Sequence, residues 1–137
     1  MGLFLLLSFA AVLVIAIAAL ATSWHLRHPP RKTLGVALAR RMPTDPGQIG
    51  RRFDDLTLRL PAGHDTPGWR VPGDAPDAPA VLVVHGFGDS RFGALTWTPL
   101  LLPHASEVVL FDLPGHGECP APVSHLGARE HRDVVHL

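Results

Sequence analysis

Hydrophobic and polar positions divide the chain into three regimes. From Leu3 to Ala21 every residue except Ser8 is apolar, which predicts a helix without a polar face. At roughly 1.5 Å of rise per residue, such a run is long enough to cross a hydrocarbon core of about 30 Å. From His25 to Gly50 the chain is basic and broken by Pro29, Pro30, Pro43 and Pro46, with room for a short helix at Leu34–Arg41. From Phe53 onward the spacing is that of a folded domain.

Within that domain Leu56, Leu58 and Leu60 alternate with polar residues, the period of a half-buried strand over Phe53–Leu60. A second, short strand fits Gly68–Val71, and the turn-rich run Pro72–Pro79 closes what reads as a hairpin on a sheet edge. Val81–Val84 is continuously apolar, as expected of a strand covered on both faces. The loop His85–Ser90 follows, then a helix near Arg91–Leu102 disturbed by Pro99, a second buried strand at Val108–Phe111, and the loop Asp112–Gly117. A last helix is expected to start near Gly127, with Glu130 and Asp133 in its opening turns, and to run to the chain end. Strand, helix, strand, helix predicts an α/β fold with a parallel sheet. The organisation expected is an anchor at 1–24, a Pro-rich juxtamembrane linker at 25–50 and one small domain at 51–137.

Charge refines the reading of the apolar run. No Lys or Arg precedes it, whereas Arg27, Arg31, Lys32, Arg40 and Arg41 follow it. A cleavable signal peptide would have a basic start and a shorter core, although Ala19-Leu20-Ala21 supplies a small-x-small site. The asymmetry favours an uncleaved single-pass anchor with the soluble part in the cytoplasm; export after cleavage is the alternative. The linker arginines are expected to be a solvated basic flank or to lean on anionic headgroups.

The 137 residues carry twelve basic and twelve acidic side chains, so no polyelectrolyte character calls for nucleic acid as a partner. Cys119 is the only cysteine, which excludes an intrachain disulfide.

Two motifs carry the candidate chemistry. Val81–Val84 runs into His85-Gly86-Phe87-Gly88, and Phe111 runs into Asp112-Leu-Pro-Gly115-His116-Gly117-Glu-Cys119. Together, in this order, they resemble the α/β-hydrolase fold family, in particular its serine-aminopeptidase-like and lipase-like members, with an H-G-x-G loop after the third strand and a D-x-x-G-H-G-x-S loop after the fourth. The likeness is strong from Val81 to Cys119 and weaker back to Phe53. It implies the amino-terminal half of an α/β-hydrolase sheet and an ester or amide hydrolase working through an acyl-serine intermediate, with a small-molecule substrate and no cofactor or metal. Backbone N–H groups fixed in place before reaction stabilise the oxyanion of acyl transfer, each worth roughly 3 kcal/mol. By resemblance the donor is the N–H of Phe87, and His85, Gly86 and Gly88 form the oxyanion loop. Asp112, Gly115, His116 and Gly117 then form a rigid loop that shapes the site. Cys119 stands where the family usually has serine, and nothing nearby would activate its thiol.

The family's nucleophile lies in G-x-S-x-G after the fifth strand, and no serine here has that frame. Ser8 sits in the apolar segment and Ser23 flanks it, Ser106 and Ser124 lack flanking glycines, and Ser90, in Gly88-Asp-Ser-Arg-Phe92, sits in the oxyanion loop. The chain is therefore expected to stop before its catalytic serine, acid and histidine and to be inactive by itself. Three other readings stand beside this one. A non-catalytic membrane-attached protein would use the sheet to bind a partner. A dinucleotide-binding unit is imitated by Gly86-Phe-Gly-Asp-Ser-Arg91 with Asp112 ending the next strand, but Arg91 stands where a third glycine belongs. A zinc site from His116, Cys119, His125, His131 and His136 lacks ligand spacing.

Overall fold

The computed structural model describes residues 1–61 and 63–135. Helix α1 (Gly2–Arg27) continues past the apolar run and buries none of its residues. It is long and apolar enough to cross a membrane, a property it shares with signal sequences. Its end is fixed locally: the His28 N–H donates to the Trp24 carbonyl at 3.0 Å, the two rings stack at 3.9 Å, and Pro29 and Pro30 cannot continue the helix.

Four strands follow, β1 (Asp54–Arg59), β2 (Asp65–Pro72), β3 (Val81–Val83) and β4 (Glu107–Phe111), in the order β1-β2-β4-β3. β1 and β2 form the expected edge hairpin. β2 is longer than its apolar stretch because Asp65, Thr66 and Pro67 also pair with β1. The strand-helix-strand unit is parallel as expected, β3 with β4, but the sheet as a whole is mixed because β2 pairs antiparallel with β4. A tight turn forces antiparallel neighbours, whereas parallel neighbours need a crossover. That crossover, expected as one helix, is a relay of single turns: α3 (Arg91–Ala94), a 3-10 turn (Leu95–Trp97), α4 (Thr98–Leu101) and a second 3-10 turn (Leu102–His104), following α2 (Leu34–Ala39) in the chain. Pro99 and Pro103 lack the N–H that a continuous helix requires, and each sits at the start of a turn, where none is needed. The last helix, α5 (Glu130–Val135), begins after a turn at 126–129.

Alternation along β4 sorts the core onto two faces. Val108 and Leu110 face a layer with Trp69, Val71, Phe92, Leu95 and Leu102, while Phe111 packs with Leu60, Cys119 and Ala121 under Leu82 and Val134. β3 is half-buried at all three positions instead of fully covered; it is an edge strand with a neighbour on one side only. The segment read as a linker also departs from expectation. Ala37 of α2 is 1% exposed inside the first cluster, with Met42 and Ile49 packed against it, and Pro46 is buried.

Candidate active site

The loop after β3 is a tight turn in which the Asp89 N–H donates to the Gly86 carbonyl at 3.1 Å, made possible by Gly88 at φ +68°. Among the described residues no acceptor receives the Phe87 N–H. The Phe87 ring is exposed and meets His116 edge-on at 5.8 Å. His85 is buried, and its Nε2 accepts the Leu113 N–H at 3.0 Å. Its Nδ1 lies 2.9 Å from the Gly86 carbonyl, so we assign the proton to Nδ1, which donates there. Burial holds the His85 pKa below its ordinary value, outweighing the upward pull of the Gly86 carbonyl, and His116 adds to the depression. A neutral His85 thus ties the first loop to the second.

The second loop is built around Asp112, which is fully buried. Its Oδ1 accepts the Arg91 N–H at 2.7 Å, its Oδ2 accepts the Glu118 N–H at 2.9 Å, and the carboxylate forms an ion pair with the Arg91 guanidinium. The Asp112 carbonyl accepts from Thr66 Oγ1 at 2.6 Å. Arg91 also reaches the Glu118 carboxylate at 2.5 Å and lies 4.7 Å over Trp69 and 4.6 Å over Phe92. Glycine is required at 117, where φ is +47° and the Asp112 carboxylate occupies the space of a side chain. His116 is buried between His85, 5.1 Å away, and Phe87; its Nδ1 faces the Pro114 carbonyl at 2.9 Å, and among the described residues its Nε2 has no partner. Cys119 is fully buried, and burial pushes its thiol pKa up, which keeps it protonated and non-nucleophilic. Ser90 is equally inaccessible.

Several residues that hold the site had no signature in the pattern. Arg91 looked like a mismatch in a glycine motif, yet it neutralises Asp112. The segment after α1 crosses both loops as a strap. Pro30 packs 3.6 Å from where a side chain on Gly88 would begin, and Lys32 Nζ donates to Asp89 Oδ1 at 2.8 Å. Arg31 donates to the Cys119 and Ala121 carbonyls at 2.7 and 2.5 Å, and the Leu34 N–H donates to Glu118 Oε1 at 3.3 Å. The Ser124 N–H donates to the Arg27 carbonyl at 2.9 Å, so the end of α1 is joined to the domain as well.

Beyond Ser124 the Glu130 carboxylate organises the turn, accepting N–H groups from His125 at 2.5 Å and Gly127 at 3.0 Å. Burial alone would raise its pKa; these donors hold it below the ordinary carboxylate value. Among the described residues no three His, Cys, Asp or Glu side chains gather as a metal site. His136 lies outside the described residues.

The overall fold of this chain is shared with solved proteins. The fold is hydrolase-like. Structures of a Pyrococcus furiosus esterase superpose on 80% of this chain with a TM-score of 0.62 at 20% identity, and in another crystal form on 82% with 0.59 at 17% identity. The chain covers 39% and 40% of those esterase chains, about two-fifths of their length. No family model and no curated protein matches it by sequence. The hydrolase-like sheet puts the Phe87 loop and the Asp112 loop at the carboxyl ends of adjacent parallel strands, where open α/β sheets form their ligand crevices.

Proposed function

We propose that this chain is the oxyanion-bearing part of a membrane-attached α/β-hydrolase that cleaves an ester or amide. The observation that carries the reading is the unpartnered Phe87 N–H, held on a turn that His85 pins to the next loop and Lys32 pins to the strap. In acyl transfer the carbonyl oxygen gains negative charge as the nucleophile adds. A donor fixed in advance stabilises that charge without reorganising and contributes roughly 3 kcal/mol. Gly86 and Gly88 keep the approach to it open, and His116 backs the Phe87 ring. Asp112, Gly115, His116 and Gly117 act by holding shape, since the Asp112 carboxylate is already saturated. That saturation also counts against the dinucleotide reading, which needs a free carboxylate to meet a ribose.

The nucleophile, acid and base are not among these residues. Ser90 is buried, Cys119 is a buried neutral thiol, and among the described residues the hydrogen bonds of His85 and His116 go to backbone groups. We therefore expect the chain alone to show no turnover of an activated ester above a background that Phe87→Pro, which removes the N–H, leaves unchanged. The decisive experiment reads the coding sequence beyond Leu137 in all frames for an apolar strand followed by G-x-S-x-G, then labels the extended product with a fluorophosphonate. Labelling abolished by replacing that serine supports the reading; turnover by the present chain that Ser90→Ala abolishes would overturn it.

The basic residues after α1 support a cytoplasmic placement of the domain, with α1 as the anchor. A second reading, a membrane-attached protein that binds a partner without catalysis, is favoured by the free edge of β3.

A further inference from the structure

A cleft of about 590 Å³ opens between the last turns of α1 and the turn before α5. Thr22, Leu26 and Arg27 contribute one wall and Leu126, Ala128 and Arg129 the other. Its volume suits a small amphiphile. Arg27 and Arg129 are both exposed, and among the described residues neither guanidinium has an acidic partner or a carbonyl to bind. Leu126 is 54% exposed and, among the described residues, is one of two non-glycine residues at positive φ. Two free cations therefore share a cleft with apolar walls, one of which is the end of a helix apolar enough to lie in a bilayer.

The position of the cleft selects its occupant. Where α1 spans a membrane, its last turns lie at the headgroup level, with Trp24 at the interface. The Ser124–Arg27 bond and the Arg31 bonds to Cys119 and Ala121 hold the 124–129 turn against that end of α1. The turn therefore cannot lie far from the lipid surface. We propose that the cleft binds an anionic phospholipid of the same bilayer, its phosphate between Arg27 and Arg129 and its glycerol and upper acyl carbons along Leu26 and Leu126. This rests on the reading of α1 as a membrane span. The bound lipid fixes the domain on the surface, with the strap and both site loops beside it, so the substrate class that this face meets is an acyl ester residing in the membrane.

The test uses the full chain in vesicles of phosphatidylcholine with a minority of phosphatidylglycerol. Carbonate washing reports the anchor, and native mass spectrometry after mild detergent extraction reports the lipid retained. The expected result is a washed-stable chain that keeps phosphatidylglycerol over phosphatidylcholine by about tenfold or more. R27Q/R129Q should abolish that preference, and R27K/R129K should preserve most of it. Both positions are exposed, so neither variant disturbs the core. A chain that stays in the membrane yet retains both lipids equally, or a glutamine variant that keeps the preference, overturns the lipid site and leaves the anchor standing. Displacement of phosphatidylglycerol by millimolar inorganic phosphate overturns it in favour of a free-anion site. Loss of the chain on carbonate washing overturns the anchor and the lipid site together.

Discussion

Asp112 and Arg91 form the most deeply buried ion pair among the described residues, their side chains 0% and 8% exposed, with Glu118 and two backbone N–H groups as further partners. Removing one partner of a buried pair leaves an uncompensated charge, at a cost of about 3–5 kcal/mol. Asp112→Leu and Arg91→Met should each lower the unfolding free energy, read from urea titrations of the detergent-solubilised chain, by that much. The double variant should recover much of the loss, because an apolar replacement of both ends removes the stranded charge. A double variant as unstable as the sum of the singles would mean that the pair's other bonds, to Glu118 and the Arg91 backbone, matter more than its charge. His85 makes a separate prediction through pH. Its folded pKa is depressed, so the unfolded chain binds the proton more readily and stability rises with pH. The contribution is complete above the unfolded value of about 6.5 and is lost as pH falls from there through the folded pKa. Melts of the native chain between neutral and mildly acidic pH should show this slope, and His85→Asn should flatten it.

The strap is the element whose role differs most from its sequence character. Its salt bridge from Lys32 to Asp89 is partly exposed and contributes little alone. The apolar contribution is larger, since Ala37, Met42, Pro46 and Ile49 all come from residues before β1. A segment starting at Gly50 should therefore lack a cooperative transition and bind a hydrophobic dye, whereas one starting at His25 should melt cooperatively. Equal melting of the two by circular dichroism would show that the strap rests on the domain without stabilising it. The broken crossover helix teaches the same lesson in reverse: its apolar residues are buried as the pattern expects, but Pro99 and Pro103 dictate how the backbone delivers them.

In the molecule as a whole, the sheet has two edge strands, the largely polar-faced β1 and the apolar β3. Among the described residues β3 pairs only with β4, and an unpaired apolar strand invites another strand. Above micromolar concentration the solubilised chain should self-associate, and Val84→Lys, at an exposed position next to that edge, should shift sedimentation toward monomer. A monomer at all concentrations would count against an open edge. The same edge allows the binding reading, because a partner's strand would satisfy it as well as a second copy would.

Hydropathy and glycine placement by themselves determined the apolar helix, the β1 hairpin, the two parallel strands and the His85–Gly88 and Asp112–Gly117 turns. These are local properties: side-chain period, β-branching and the need for positive φ leave marks within a few residues. The partners were decided only by tertiary structure. Nothing near Arg91 announces Asp112, nothing near Lys32 announces Asp89, and no period marks Ala37 as core. Such contacts join residues far apart in the chain, and their energy comes from desolvation and geometry that exist only after the sheet has formed. The Phe87 amide shows both halves of the division: its glycine neighbours made it a candidate donor, and its lack of an acceptor, between a strap and a histidine that hold its turn still, was settled only by the fold.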